Sequence, residues 1–360
     1  MSAYTLAWFG CDLRTGAIAE ELRALRPTQA LTRRIGAATS VPMELDLAGA
    51  PPHWEAATDQ GRTLQVAVDE TTGAIVWAGI TAERDGGSSQ TLTLGAATAE
   101  SYLDRRYPGD YTATATDATT VMAALAAPAA SLGPPIEFDT APSGLLIDYS
   151  MRDLDDKTVM SGLQEIADMA GAPEWTVDVV WADAAQTRVK LVVRIRPAIG
   201  IQLAVPGAVF DFPGCIGDYR LTESYDRGRG ATRTVARGEL VDGVRTTSTV
   251  HTADSLIAAG WCLWERRWTP SAGITDTAQL DRHATEAITL MGTGSRAWTV
   301  NAVASRAPRL GTDWSLGDTI AISIDRSPRH PAGAQAVARA YAWSLDAAAD
   351  RVSPILLEDT

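Results

Sequence analysis

The sequence predicts a mainly β chain with an α+β insertion, in which two barrel- or sandwich-like β domains flank a mixed α+β domain. Three observations predict it. Short alternating runs recur at roughly 8–12-residue spacing toward both ends of the chain. Two capped helical patterns fall between them. At 360 residues and 46% hydrophobic content, the chain holds more apolar material than one core uses. The expected domains are 1–97, a barrel-like β domain; 98–205, the α+β insertion; and 206–360, a second β-rich domain with one long helix.

In the first domain, residues 5–13, 18–25, 29–35 and 42–47 read as extended runs, punctuated by Arg14-Thr15-Gly16, Arg26-Pro27 and Gly36. Strands at 64–68 and 75–81 follow, joined by Thr71-Thr72-Gly73. Val76, Ala78 and Ile80 alternate with Trp77, Gly79 and Thr81, the period of a pleated strand. Asp85-Gly86-Gly87-Ser88-Ser89 is a loop, and 90–95 returns as a second strand. A short aromatic and arginine helix signal then runs to Tyr107.

In the insertion, 117–127 is a helix: Asp117 caps it, Val121, Met122 and Leu125 share a face, and Pro128 stops it. An Ala/Pro/Gly-rich connector covers 126–135. A second helix is expected over 156–170, capped by Asp155 or Asp156, striped by Val159, Leu163, Ile166 and Ala170, and ended by Gly171. Residues 174–181 and 188–196 form an antiparallel pair across Asp183-Ala184-Ala185-Gln186. In the third domain, 219–225, 231–237 and 244–250 read as one strand group. A helix over 275–291 stops at Gly292, and strands at 297–305 and 319–324 follow. In the closing hairpin Tyr341, Trp343 and Leu345 alternate with polar neighbours, 347–350 is the loop, and 352–357 returns. No sequence repeats between the two β regions.

A formal charge of −13 argues against a surface that grips phosphate backbones, so no specific nucleic-acid binding is expected. Arginine supplies nearly all the positive charge, since lysine stands only at Lys157 and Lys190. No apolar run approaches the ~20 residues of a membrane span, and the first residues lack the pattern of a secretory signal. No stable membrane insertion is expected, and assembly is expected in the cytoplasm of the producing cell. Cys11, Cys215 and Cys262 are far apart in sequence and read as reduced, small packing residues.

The search for chemistry finds little. His53, His251, His283 and His330 form no zinc-ligand spacing. His283, beside Arg282, reads as part of a solvated helix face. Asp153, Asp155 and Asp156 lack the glycine and glutamate of a calcium loop and read as helix caps. Glu20 with Glu21, or Asp346 with Asp350, could be imagined as paired carboxylates, yet spacing selects none among 44 acidic residues. Arg227-Gly228-Arg229-Gly230-Ala231 has neither a third glycine nor a Walker lysine. Arg105-Arg106 and Arg266-Arg267 lie beside Tyr107 and Trp268 and suit inter-subunit ion pairs or cation–π contacts. Trp261, Trp264 and Trp268 recur at i, i+3 and i+7, as one helix face or the rim of a core. No catalytic, cofactor-binding or metal residue is assigned, and a non-enzymatic role is expected.

Residues 77–117, WAGITAERDGGSSQTLTLGAATAESYLDRRYPGDYTATATD, resemble minor tail proteins of long-tailed phages of actinobacteria. The opening LAWFGCDLRTGAIAEELRAL is similar to that group, as are 171–178 and 194–197. The resemblance covers roughly residues 5–200, and more loosely the remainder. It implies a tail-tip or baseplate hub: a homotrimeric ring of barrel-like domains, sited at the virion tail tip, that lets the genome pass. The implied partners are distal tail, tape-measure and tail-fibre or spike proteins. It brings no catalytic residues. The negative charge is expected to include the lumen face, because a basic bore would hold DNA. Two readings compete: a glycan-binding receptor module using exposed tryptophans, and a peptidoglycan hydrolase using two carboxylates.

Overall fold

The computed structural model describes residues 4–241, 243–270, 274 and 276–357. Its first strands are β1 (Leu6–Asp12), β2 (Ile18–Glu21), β3 (Leu25–Pro27), β4 (Leu31–Arg34) and β5 (Ser40–Asp46). A single turn, α1 (Trp54–Ala57), leads to β6 (Thr63–Asp69), β7 (Ile75–Asp85) and β8 (Thr91–Thr98). Seven of these strands form an antiparallel sheet in the order β2-β1-β6-β7-β8-β5-β3. Alternation predicts one buried face for β7, yet Val76 through Thr81 are all buried. The sheet is a middle layer: Trp77 joins one core, while Ala78 and Ile80 join another on the opposite face.

The helix signal before Tyr107 becomes a 3₁₀ segment, Ala99–Arg105. Then come β9 (Tyr111–Asp117), α2 (Ala118–Ala126), β10 (Ile136–Thr140), β11 (Leu146–Met151), α3 (Val159–Ala167), β12 (Glu174–Trp181) and β13 (Val189–Arg196). The Asp117 carboxylate accepts from Thr119 N at 2.9 Å and from Gly144 N at 2.7 Å, so the predicted cap also ties down the 143–144 turn. Pro128 tightens the chain into a 3₁₀ turn, Ala127–Ala130, where the sequence suggested a full stop. The second helix begins later than expected. Thr158 caps it, accepting from Ser161 N at 3.1 Å, while Asp155 pairs with Arg152 and Asp156 adopts a left-handed conformation. Val159, Leu163 and Ile166 are fully buried. Strands β12 and β13 pair as predicted, with β10 running parallel beside β13.

The remaining elements are β14 (Val209–Phe212), β15 (Ile216–Ser224), β16 (Arg233–Val241), β17 (Val244–Thr247), β18 (His251–Thr252), α4 (Asp254–Ala258), β19 (Glu265–Trp268), α5 (Thr277–Met291), β20 (Ser295–Val303), β21 (Thr319–Ile324), β22 (Ala334–Asp346) and β23 (Arg351–Leu357). Asp276 caps α5 by accepting from Ala278 N at 3.0 Å; Thr275 lies outside the described residues. The grouping of 219–225 with the next two runs is corrected. Strand β15 pairs with β20, whereas β16 to β19 form a separate small sheet. Because Ser224 faces Ser295 across the β15–β20 pair, residues 225–294 are an excursion from the end of that pair.

The mainly β fold class is as the sequence predicts. Leaving out β2, six strands of each large sheet share an order that no sequence repeat betrays. One runs β1-β6-β7-β8-β5-β3 and the other β14-β21-β22-β23-β20-β15. Each is a three-strand meander flanked by strands that come earlier in the chain. They differ at one edge, where β1 is antiparallel to β6 and β14 is parallel to β21. Strand β4 leaves its own region to pair with β22, Leu31 opposite Leu345. One core accordingly joins Trp8, Leu31 and Trp77 to Phe210, Trp314 and Trp343. A second joins Cys11, Leu64 and Val66 to Leu125, Leu163 and Trp175.

Candidate functional site

The charged groups that this fold buries sit where its regions meet. Arg33, on β4, donates to Asp178 at 2.7 Å, Glu100 at 3.2 Å, Thr176 Oγ1 at 2.9 Å and the Val177 carbonyl at 2.9 Å. The same Glu100 oxygen accepts from Val177 N at 3.1 Å. One guanidinium thus joins β4, the 3₁₀ segment after β8, and β12. Burial works against the charge on Arg33, but the two carboxylates outweigh it and raise its pKa. Burial likewise pushes the Asp178 carboxyl up, and Arg33 and Arg194 reverse the sign.

Two further arginines repeat the device. Arg309 grips Asp69 with Nε and Nη2, lies 4.3 Å from the centre of the Tyr4 ring, and is buried with both. The Tyr4 hydroxyl accepts from Leu310 N at 2.7 Å, and burial pushes its pKa up to about 12. Arg339 holds Glu174 and donates to the Ile199 and Gly317 carbonyls. Beside it Gly200 and Gly317 cross backbone to backbone, both at positive φ. A Cβ on Gly200 would stand 2.2 Å from the Gly317 carbonyl carbon. Reading doublets in the sequence missed all three arginines. For Arg33 and Arg339 the available signal was an arginine inside a strand-like run, LTRR and AVARAYAW; Arg309 stands in a loop and gave none.

Of the residues singled out in the sequence, His330 and His283 change meaning most. His330 stacks on Trp298 with centroids 5.9 Å apart, and its Nδ1 lies 2.7 Å from the Tyr219 hydroxyl. This contact pins the β21–β22 loop beside a cavity of about 690 Å³ lined by β15, Phe212 and Ser327 to Arg329. His283 is not on a solvated face: it points inward with Leu280, Ala284 and Ala287 and is 8% exposed. Among the described residues its Nε2 has no hydrogen-bond partner.

Burial, then Arg282, push the His283 pKa below its usual 6.5. The unfolded chain therefore binds a proton that the folded state resists, and stability falls as pH drops through about 6.5. The pH 7.5-to-5.5 loss of melting temperature is expected to be smaller in His283→Gln than in the parent. The matching difference in unfolding free energy should be on the order of 0.5–1 kcal/mol after solvent screening. Calorimetric scans of both proteins at the two pH values measure it.

His53 precedes α1 without a side-chain cap, and His251 lies 3.4 Å from Asp281. Asp350 is occupied by Ser305, and Asp346 accepts from Ala349 N, so both carboxylates shape turns. Glu20 and Glu21 are neighbours on β2, where successive side chains point to opposite faces. Arg106 lies over Tyr102 and Arg266 over Trp268, at 4.7 Å in the second case, so these cation–π contacts form within the chain. Cys11 and Cys215 are buried as expected, but Cys262 is exposed. Of the three tryptophans at i, i+3 and i+7, Trp268 is partly buried against the small core, as a rim, while Trp261 and Trp264 are exposed and on no helix. These two stand in the extended segment before β19, at 5.4 and 5.7 Å from the Tyr225 ring. Among the described residues no three His, Cys, Asp or Glu side chains gather as a metal site, and no helix is long and apolar enough to cross a membrane.

Exposed apolar residues concentrate on two surfaces. One follows the edge strand β14 and the segment before it, with Ile201, Leu203, Val205, Val209 and Val337. Leu203 N donates to Thr319 Oγ1 at 2.8 Å, and Val209 faces Ala321, which faces Val337. The other is the excursion 225–294. Among the described residues its buried core cluster is Ala236, Ile274, Leu280 and Ala284, while Leu240, Val244, Trp261, Leu263 and Trp264 are exposed. Apolar surface left open to this extent marks contact sites.

No protein-family model matches the chain, and no curated protein matches it by sequence. Solved structures do match. A tail protein from Neisseria meningitidis MC58 aligns with a TM-score of 0.63 at 15% identity, covering 99% of this chain and 97% of that one. A prophage tail protein from Listeria monocytogenes EGD-e aligns at 0.58 and 9% identity, covering 98% and 94%. The 43 kDa tail protein of prophage MuSo2 from Shewanella oneidensis aligns at 0.56 and 12% identity, covering 99% and 94%. From end to end, the chain has the fold of these tail proteins.

Proposed function

We propose that this chain is a structural component of a phage tail: a tail-tip or baseplate hub that closes a ring as a homotrimer. It joins the tail tube to the host-recognition or penetration device and lets the genome pass. One observation carries the reading. Two sheets of equal strand order and the α+β region beside them are held together by buried arginine–carboxylate pairs, and apolar residues are left exposed on the surfaces around them. Three copies of such a chain would place six related sheets around an axis. Closed rings need rigid subunits whose exposed surfaces meet a neighbour. The partners are the chain itself and the distal tail, tape-measure and tail-fibre or spike proteins. The chain acts by contact and performs no catalysis, and its three regions serve as barrel, insertion and second barrel. Its net charge of −13 suits a lumen that does not hold DNA.

The exposed Trp261 and Trp264 favour a second reading, a glycan-binding tail module. Native mass measurement of the purified chain, followed by imaging of its symmetry, separates the two. A trimeric ring with an acidic or neutral bore is expected. A monomer that binds host glycans through Trp261 and Trp264 would favour the alternative, and arginines lining the bore would contradict the lumen assignment.

A further inference from the structure

The excursion 225–294 has a surface whose chemistry specifies its occupant. It leaves the barrel at Ser224 and returns at Ser295, opposite each other on the β15–β20 pair, so it projects from the end of the sheet. The Tyr225 ring sits against Gly230, where a Cβ would come within 2.4 Å of it, and it supports Trp261 and Trp264. Arg266 donates to the Gly228 carbonyl at 2.7 Å and fixes the 226–230 turn beside them. Arg227 and Arg229 on that turn are exposed, and neither has an ion-pair partner among the described residues. Two ordered tryptophans flanked by two free guanidinium groups make a surface that seeks an acidic face with an apolar knob.

Such a face exists on this same chain. Region 98–205 carries 15 Asp and Glu against 8 Lys and Arg. Five of these acids, Asp104, Asp110, Asp153, Asp155 and Asp156, lie at the 3₁₀ turn Asp153–Asp155. There Asp153 N donates to Asp110, Thr158 donates to Asp104 and, among the described residues, Arg152 pairs with Asp155 alone. Leu154 stands out of that turn, 84% exposed, with Tyr107 exposed nearby in sequence to Asp104. In a ring the contact is heterologous, so one patch must meet a different patch on the next copy. We infer that the Trp261–Trp264–Arg227–Arg229 face docks on the Asp153–Leu154–Asp155 face of a second copy and forms a seam of the ring. This inference rests on the ring reading above.

Charge exchange tests the seam on the full chain. Self-association is measured by mass photometry and sedimentation, at roughly 0.05 and 0.5 M salt. Arg227→Glu with Arg229→Glu should weaken association about tenfold, as should Asp153→Arg with Asp155→Arg. All four replacements together should restore it to within roughly threefold of the parent, and salt should narrow every difference. Unchanged melting temperatures show that the variants fold; all the replaced side chains are exposed. A parent that assembles while the reversed variants assemble equally well, or a fourfold variant that is not restored, would overturn the seam and leave the ring standing. A parent that stays monomeric throughout overturns seam and ring together. Binding of a labelled single-stranded DNA that Arg227→Glu with Arg229→Glu abolishes, with association intact, would assign the face to nucleic acid and also overturn the seam.

Discussion

Arg309→Met is expected to cost the chain about 3–5 kcal/mol of stability. Its ion pair with Asp69 is not a surface pair worth a few tenths, because the two side chains are only 7% and 0% exposed. Methionine fills much of the space but leaves a buried carboxylate without its cation, and it removes the contact over the Tyr4 ring. The pH dependence identifies the cause. In the parent, burial raises the Asp69 pKa, but hydrogen bonds from Arg309 and Thr72 outweigh it and leave it below its usual value. Asp69 thus contributes stability that is present above the unfolded-state pKa and lost as pH falls through the lowered one. Without Arg309, burial is opposed only by the hydrogen bonds from Thr71 and Thr72 and the pKa moves up, so protonation relieves the variant. The deficit of Arg309→Met should therefore shrink between pH 7 and about 4.5, whereas Asp69→Asn should show no such relief, since arginine keeps its charge. Urea titrations at both pH values give the answer, and a deficit under 1 kcal/mol at pH 7 would mean the pair contributes no more than a surface one.

Arg33→Met is expected to cost about 3 kcal/mol or more, and the loss should concentrate where the regions meet. Its guanidinium serves four acceptors, three on β12 and one on the 3₁₀ segment, and Glu100, 1% exposed, depends on it for neutralisation. Arg33→Lys separates charge from geometry. A lysine keeps the positive charge but cannot span the fork, so it should recover only part of the loss and remain about 1–2 kcal/mol below the parent. Hydrogen exchange should locate the effect, with amides of β4 and β12 losing protection ahead of those of β6 and β7. Uniform loss across the chain would contradict a local clasp. Both substitutions test one idea, that buried ion pairs keep two sheets in fixed relation so that their outer surfaces can meet neighbours in register.

Elements governed by neighbours in sequence were legible. Asp117 caps its helix because a carboxylate at that position satisfies amides within two residues. The β12–β13 pair, its loop and the closing hairpin follow from alternation interrupted by turn residues. The same logic points to Asp155 and Asp156 as caps, but Thr158 stands nearer the first buried residue and takes the place. His283 was misplaced because its charged neighbour Arg282 says nothing of which way the next side chain points. The partner of β4 was invisible, since an edge pairs with whatever sheet is brought alongside.

The sequence by itself determined the mainly β class, most of the strands and the principal helices, because period and caps act over a few residues. Only the tertiary structure decided that the two sheets share one strand order, that Arg309 clasps one to the other while Arg33 and Arg339 clasp the second to β12, and that the tryptophans near residue 261 face outward. Those outcomes depend on which distant surfaces come together and exclude water, and burial of that kind leaves no trace in local spacing.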